Sequence, residues 1–161
     1  MNNLLGNYTV NATEQIFYRN PLSNASTMPE VTSYWEAGRK DVEVNARTFT
    51  LTIDHPPEQR GTNLGPTPSE MLISALAGCF TGTMVPIARM MNIPLSKVRL
   101  KVSAVKGEHE FESLRSINIH VQIEPKLEDS AKLNHLIEQT KRNCTISNTL
   151  THPPEFTFST D

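Results

Sequence analysis

Two cysteines, Cys79 and Cys144, are the side chains of this sequence with the clearest capacity for covalent chemistry. Cys79 lies in the uncharged stretch SALAGCFTG, residues 74–82, and Cys144 follows 65 positions later in KRNCTISNTL. A free cysteine is often buried and unreactive, so Cys79 taken alone is most simply a small core residue. As a pair, the two thiols can stay unpaired, form a permanent disulfide or pair transiently.

The expected redox environment favours transient pairing. Two cysteines are too few for a disulfide scaffold, and the N-terminal MNNLLGNYTV lacks the basic and apolar regions of a signal peptide. We therefore expect a reducing cytoplasm, where permanent disulfides are rare. In a transient pair, one thiolate attacks a peroxide and becomes a sulfenic acid, which the second thiol converts to a disulfide. Spacing alone does not establish this chemistry, because there is no CxxC motif.

The neighbours of each cysteine add to this picture. Gly78 and Gly82 flank Cys79 and permit the close approach of another group. Lys141 and Arg142 precede Cys144, and we expect their charges to lower its thiol pKa. Ser147 is placed to help cap a following turn.

A long apolar helix is predicted to carry Cys79. TPSE at residues 67–70 is a capping box, with Thr67 as N-cap and Glu70 reaching back, and the helix should extend to about Met91. It is apolar on nearly every face, which predicts burial on all sides, and Pro86 predicts a kink or break. The uncharged run of residues 71–88 just reaches the length of a membrane span, but its glycines, proline and hydroxyl residues favour a buried helix.

Strand-like segments surround this helix. Alternating or β-prone stretches precede it (VTSYWEA, DVEV, RTFTLTID) and follow it (KVRLKVSAV, SINIHVQIE), with the charged KGEHEFES as a hairpin connection. LEDSAKLNHLIEQTKRN predicts an amphipathic helix that leads to Cys144, and EFTFST predicts a last strand. The Pro/Gly-rich HPPEQRGTNLGPTP should be an exposed, partly extended connection. The order predicts an α+β fold in which an antiparallel sheet packs on the central helix, with residues 1–30 as an arm and 31–161 as one domain.

A helix that is apolar on every face needs more cover than one sheet and one short helix provide. We therefore expect a homodimer in which two sheets enclose the central helices. The net charge of −2 and the sequence pI of about 6.2 give no electrostatic reason to expect nucleic acid or a membrane surface as a partner. The five histidines show no trusted metal-ligand spacing, so no bound metal or cofactor is expected.

Several segments resemble the OsmC/Ohr family, the osmotically inducible proteins and organic hydroperoxide resistance proteins. They are GPTPSEMLISALAGCFTG, IPLSKVRLKVSA and NCTISNTL, with TIDHPPEQRGTNLGPTP as a similar lead-in, and the likeness spans about residues 31–150. The resemblance implies an intertwined α+β homodimer with sites at the subunit interface. It also implies thiol-dependent reduction of organic hydroperoxides, with Cys79 as peroxidatic residue, Cys144 as resolving residue and an external lipoyl-type dithiol as reductant.

The resemblance further implies an arginine that steadies the thiolate and a catalytic glutamate. Arg39 in AGRKD is the candidate arginine and Arg47 competes with it, although either could be a solvated surface residue. The family places its glutamate directly after the turn proline, where this chain has Ser69, and Glu70 comes one residue later. On a regular helix Glu70 lies about 180° around and about 13 Å along from Cys79, so it would serve the thiol of another subunit or act only as a cap.

Our leading interpretation is a dimeric, cytoplasmic, thiol-dependent peroxidase that acts on small organic hydroperoxides. An apolar substrate is expected, because Phe80 and the helix methionines Met71, Met84, Met90 and Met91 would line or back the site. Two alternatives remain. One is a non-catalytic relative that binds a small apolar ligand at the dimer interface, and the other is a thiol redox sensor.

Overall fold

The computed structural model describes residues 29–107 and 113–160, together with two short paired strands, β1 (Thr9–Val10) and β2 (Ile16–Phe17). Most of the predicted N-terminal arm, residues 1–30, lies outside this range. The chain forms two compact units, one of residues 22–74 and one of residues 1–21 with 75–161. The strands within each unit pair antiparallel, and the α+β class predicted from the sequence is confirmed.

The unit of residues 22–74 contains a three-stranded antiparallel sheet. Its strands β3 (Thr32–Tyr34), β4 (Val42–Ala46) and β5 (Phe49–Ile53) lie in sequence order, and Val44 pairs with Leu51. These are the strands that the sequence predicts before the long helix. Apolar and polar side chains alternate along β5, so the strand has one apolar face. Phe49 on that face is 58% exposed within the described chain.

The loop after β5 is largely exposed, as its prolines and glycines predict, but it is more compact than an extended connection. It folds around Asp54, whose side chain is buried and accepts hydrogen bonds from the backbone N–H groups of His55, Thr62 and Leu64 and from the Thr62 hydroxyl. These donors hold the pKa of the Asp54 carboxyl well below its usual range, and the Leu64 N–H contributes most. A buried carboxylate thus organises this loop.

Two glycines allow the loop to close this tightly. A Cβ atom at Gly61 would lie 1.8 Å from the carbonyl oxygen of His55, and one at Gly65 would lie 2.0 Å from that of Thr52. Arg60 and Asn63 adopt positive φ angles of 70° and 59°, a conformation that asparagine tolerates better than most residues. The loop therefore needs glycine at positions 61 and 65 for its path around Asp54.

Helix α1 (Pro68–Met90) begins at the predicted capping box and ends one residue before the predicted position. It continues through Pro86, so the expected break is absent. Pro86 cannot donate to the carbonyl of Gly82, but Gly82 is exposed, and water can therefore satisfy that carbonyl.

One face of α1 is buried within the chain and another is open. The buried side chains of the helix are Leu76, Phe80, Thr83, Met84, Ile87 and Ala88. On another face, a Cβ atom at Gly78 or Gly82 would meet nothing within 4 Å in the described part of the chain. By length and composition alone α1 would also suit a membrane span, a test that the core helix of a soluble protein passes as well. Among the residues that the structure describes, only one side of this helix is covered.

The second unit contains a β-hairpin and two further helices. Strands β6 (Lys97–Lys106) and β7 (Leu114–Glu124) pair antiparallel with Leu100 opposite Val121, as the alternation predicts, and residues 108–112 of their connection lie outside the described range. Helix α2 (Ser130–Asn143) is capped by Asp129, and the short helix α3 (Thr145–Thr151) follows directly. The core of this unit consists of Leu76, Phe80, Met84, Ile87, Ala88, Ile93, Leu136 and Cys144.

The prediction of a last strand at EFTFST, residues 155–160, is wrong. These residues form no strand, and Phe156 and Phe158 are 78% and 93% exposed. The segment has the alternation of a strand, but a strand also needs a partner edge, and it meets none within the described chain. The alternating pattern is therefore present without the hydrogen-bonded neighbour.

Asp54→Asn should destabilise the fold, because the amide turns an NH₂ group toward a ring of N–H and O–H donors. We expect the midpoint of urea unfolding at pH 7 to fall. The depressed folded-state pKa means that the carboxylate stabilises the fold above the unfolded pKa of about 3.9 and loses this effect as pH falls further. The difference between wild type and variant should therefore shrink in acid. Glu58→Gln, at an exposed position of the same loop, is the control, and an equal loss in both variants would contradict this role for Asp54.

Candidate active site

Cys79 is positioned by the middle of α1. The N-terminus of this helix is fixed by the capping box, in which the Thr67 N–H and hydroxyl donate to Glu70 at 2.8 and 2.9 Å and the Glu70 N–H donates to Thr67 Oγ1 at 3.3 Å. Cys79 is partly buried and packs against the core of the second unit. A regular, capped helix thus holds its sulfur in a defined direction.

Cys144 is positioned by the junction of α2 and α3. Its backbone is extended, with φ −79° and ψ 111°, so it ends the first helix and begins the second. Its Sγ accepts a hydrogen bond from the Ser147 N–H at 3.5 Å, and its carbonyl accepts from the Asn148 N–H. The sequence predicts a capping role for Ser147, but the cap is Cys144 itself, and Ser147 supplies the donor.

The two sulfurs are in direct contact. Cys144 Sγ lies 3.3 Å from Cys79 Sγ, within hydrogen-bond distance for sulfur, and both residues are free thiols. Cys144 is fully buried and Cys79 is partly exposed. The fold therefore brings together two cysteines that are 65 residues apart and leaves one of them accessible.

The environment of Cys144 favours its protonated form. Burial raises its thiol pKa to about 11, and the neighbouring Cys79 adds to the rise, whereas the N–H groups of Ser147 and Ile146 oppose it. The expectation that Lys141 and Arg142 lower this pKa is wrong, because both side chains are exposed while the thiol is buried. At neutral pH, Cys144 therefore keeps its proton.

A cavity is lined by residues that neighbour the two thiols. It has a volume of about 720 Å³ and lies among β7 and the helices α1, α2 and α3, within the usual size of small-molecule sites. Phe80, next to Cys79 in the chain, lines it, and so does Ser147, which binds Cys144 Sγ. Of the apolar side chains expected to surround the site, Phe80 lines the cavity, whereas Met84 is fully buried in the core.

Arg39 and Arg47 both lie in the unit of residues 22–74. Arg39 follows the turn after β3, where its guanidinium forms ion pairs with Asp41 and, at 3.9 Å, with Glu43. Arg47 lies in the two-residue turn between β4 and β5, has a φ of 57°, and stacks over the ring of Phe49 at 5.2 Å. Each arginine has local partners, and a role at the thiols stays a prediction.

Glu70 has the contacts of a capping residue. Its carboxylate accepts both hydrogen bonds from Thr67, and these lower its pKa, the backbone N–H most. The capping interpretation is therefore confirmed, and a catalytic role stays a prediction. Among the described residues, no group of three His, Cys, Asp or Glu side chains is arranged to hold a metal ion.

Sequence reasoning missed two features, one in each compact unit. Asp54 reads as the end of a strand, and only Gly61 and Gly65 after it hint at a tight loop. Arg115 and Lys141 line the cavity, but in sequence they are an ordinary strand residue and a charge at a helix end. No local pattern could have brought them together, because they lie on different elements.

Comparison with known proteins identifies the family. The family model described as OsmC-like protein matches residues 61–159, more than half of the chain. This chain belongs to the OsmC-like family. The matched range includes α1 with Cys79, the β6–β7 hairpin and both helices around Cys144.

Solved structures of this family have the same fold. An OsmC-like protein from Mycoplasma pneumoniae superposes with a TM-score of 0.68 at 23% identity, covering 80% of this chain and 90% of its own. An organic hydroperoxide resistance protein OsmC from Legionella pneumophila gives 0.63 at 18% identity, covering 79% and 91%. An organic hydroperoxide resistance protein from Elizabethkingia anophelis gives 0.64 at 18% identity, covering 81% and 92%. A comparison with curated proteins finds no match.

The asymmetry of the two thiols predicts different labelling rates. Cys144→Ser keeps the partly exposed Cys79, whereas Cys79→Ser keeps a buried thiol with a pKa of about 11. At pH 8 we expect iodoacetamide to label the Cys144→Ser protein at least about tenfold faster, since only the accessible thiolate reacts. Mass spectrometry of the folded proteins measures both rates. Unfolding in urea is the control, because it should bring the rates together, and equal rates in the folded state would contradict the asymmetry.

Proposed function

We propose that this protein is a thiol-dependent peroxidase that reduces organic hydroperoxides. The observation that carries the proposal is the 3.3 Å contact between a partly exposed sulfur, Cys79, and a buried, protonated one, Cys144. Their neighbours Phe80 and Ser147 line a largely apolar cavity. Membership of the OsmC-like family adds support, since structural relatives are named as organic hydroperoxide resistance proteins.

The reaction begins at Cys79. Its thiolate attacks the terminal oxygen of the hydroperoxide, so that an S–O bond forms and the O–O bond breaks. The alkoxide leaves and takes up a proton to become an alcohol. Cys79 becomes a sulfenic acid, and the peroxide is reduced by two electrons.

Cys144 completes the oxidative half of the cycle. Its sulfur attacks the sulfur of the sulfenic acid, a disulfide forms, and water leaves with the thiol proton. The sulfurs are already in contact, so this step requires little movement. An external dithiol of the lipoyl type then exchanges with the disulfide, becomes a cyclic disulfide itself and restores both thiols. We propose a reducing cytoplasm as the compartment, since there the thiols return to the reduced state.

In the proposed reaction, Arg39 and Glu70 have structural roles. Glu70 serves first as the cap of α1, and Arg39 holds the turn before β4 through its ion pairs with Asp41 and Glu43. To steady the thiolate, the Arg39 guanidinium would have to give up its ion pairs with Asp41 and Glu43. The two cysteines therefore carry the reaction.

The peroxidase proposal predicts distinct losses in the two cysteine variants. With cumene hydroperoxide and dihydrolipoate, wild type should turn over, and Cys79→Ser should lose activity to background. Cys144→Ser should also lose steady turnover, but one equivalent of peroxide should leave a sulfenic acid on Cys79 that dimedone traps. Intact mass spectrometry and a coupled peroxide assay measure these outcomes.

The same measurements separate the alternative functions. If wild type shows no turnover and its thiols survive equimolar peroxide, the peroxidase proposal fails, and a non-catalytic ligand-binding protein takes its place. Rapid disulfide formation without reduction by any small dithiol would instead favour a redox sensor. Equal sulfenic acid yields in the two variants would contradict the assignment of Cys79 as the attacking residue.

We further propose that the protein acts as a homodimer. The described part of the chain leaves a face of α1 open at Gly78 and Gly82, and it leaves the apolar side chains of Leu72, Phe156 and Phe158 exposed. Exposed apolar surface of this kind marks an interaction site, and the two glycines would let another helix approach closely.

Light scattering at micromolar concentration should give twice the 18.0 kDa mass of one chain. Gly82→Arg should shift the mass toward one chain, since the side chain fills the open face while arginine favours the helix more than glycine does. Ser103→Arg, on the exposed face of β6, is the matched control and should leave the mass unchanged. A single-chain mass for wild type would contradict the homodimer.

A further inference from the structure

The Cys144 sulfur has two kinds of partner in the dithiol form. It contacts Cys79 Sγ at 3.3 Å, and it accepts a hydrogen bond from the Ser147 N–H at 3.5 Å. The N–H of Ile146 also faces this sulfur. One atom therefore links the pair of thiols to the first turn of α3.

Helix α3 depends on this cap more than a longer helix would. It has only seven residues, and none of them is buried. Isolated helices shorter than about 12 residues are marginal in water, and the first N–H groups of a helix have no partner within it. The first turn of α3 contains no acidic side chain that could replace the cap. Its other contacts include the packing of Ile146 on the core and a hydrogen bond from the Asn148 amide to the Arg142 carbonyl.

Oxidation changes the bonding of the same sulfur. When the two thiols become a disulfide, they lose two protons and two electrons to an oxidant, and a covalent bond joins Cys144 Sγ to Cys79 Sγ. The bond requires the two sulfurs to come closer than in the present contact. Cys144 lies in extended backbone between α2 and α3, so its approach to Cys79 also shifts the cap of α3.

We propose that Cys144 is a redox-sensitive cap, which orders α3 in the dithiol form and releases it in the disulfide with Cys79. This inference goes beyond peroxide reduction, because it needs only that the two thiols can be oxidised to a disulfide. Ser147, Leu150 and Thr151 of α3 line the cavity, so the cavity wall changes with the redox state of the thiols. An external dithiol therefore meets a different surface on the oxidised protein than on the reduced one.

Hydrogen–deuterium exchange of the α3 backbone amides tests this cap without any peroxide. Wild type is measured as the dithiol and after treatment with diamide, whose N=N bond takes up the two protons and two electrons. Intact mass spectrometry verifies a single chain that has lost two hydrogen atoms. We expect residues 145–151 to exchange about fivefold faster in the disulfide form, the effect of losing one helix cap. The first turns of α2, which has its own cap at Asp129, should exchange equally in both forms.

Three variants separate the cap from the disulfide. Cys79→Ser keeps the cap but cannot form the disulfide, so diamide should leave the exchange of α3 unchanged. Cys144→Ala removes the cap without oxidation and should exchange as fast as the wild-type disulfide. Cys144→Ser, the matched control at the same position, also lacks the disulfide, but serine is a favourable N-cap and should keep α3 protected. Thermal unfolding followed by circular dichroism verifies that each variant is folded, and the comparison of the two wild-type forms does not depend on the variants.

The outcomes distinguish this inference from the proposed function. Unchanged exchange of α3 in the disulfide form, equal exchange in folded Cys144→Ala and Cys144→Ser, or no disulfide at all under diamide would overturn the redox-sensitive cap. Faster exchange after diamide in a protein that does not turn over cumene hydroperoxide would sustain the cap and reject the peroxidase. Peroxide turnover with identical exchange in the dithiol and disulfide forms would do the reverse.

Discussion

The contact between Cys144 Sγ and Cys79 Sγ is the interaction on which the rest of this site depends. It joins the middle of α1 to the junction of α2 and α3 across the core of the second unit. Burial keeps the proton on Cys144, because a buried thiolate would lose its hydration. The order of the proposed chemistry follows from this difference, since the accessible sulfur meets the oxidant first and the buried one is already in place to resolve it.

The two sulfurs are held by backbones of different conformation. Cys79 lies inside a helix of 23 residues whose N-terminus is closed by Thr67 and Glu70, so its direction is fixed by many hydrogen bonds. Cys144 lies between two helices in extended backbone, and its side chain also caps α3. Movement from contact to covalent bond would therefore be taken up at the junction, and α3, which lines the cavity through Ser147 and Leu150, would follow.

The elements that the sequence predicts correctly depend on patterns within a few neighbouring residues. The capping box placed the start of α1 correctly, and side-chain alternation placed β6 and β7, because each pattern acts over a few residues. The strand expected at residues 155–160 failed, since alternation at Phe156 and Phe158 supplies no partner edge. The loop around Asp54 was missed because its hydrogen bonds come from backbone groups up to ten residues away. The contact of the two cysteines is likewise long-range, and only resemblance to a family indicated it.

The position of Cys79 along α1 is constrained from both sides. At 100° per residue, Leu76 lies about 60° to one side of Cys79 and Gly82 about 60° to the other. Leu76 is buried and Gly82 faces open space, so the cysteine lies at the border between the covered and uncovered faces of the helix. One residue later, at Phe80, the side chain is buried in the core, and one residue earlier, at Gly78, a side chain would meet nothing. A thiol that must both contact buried Cys144 and receive a substrate therefore suits position 79 better than either neighbour.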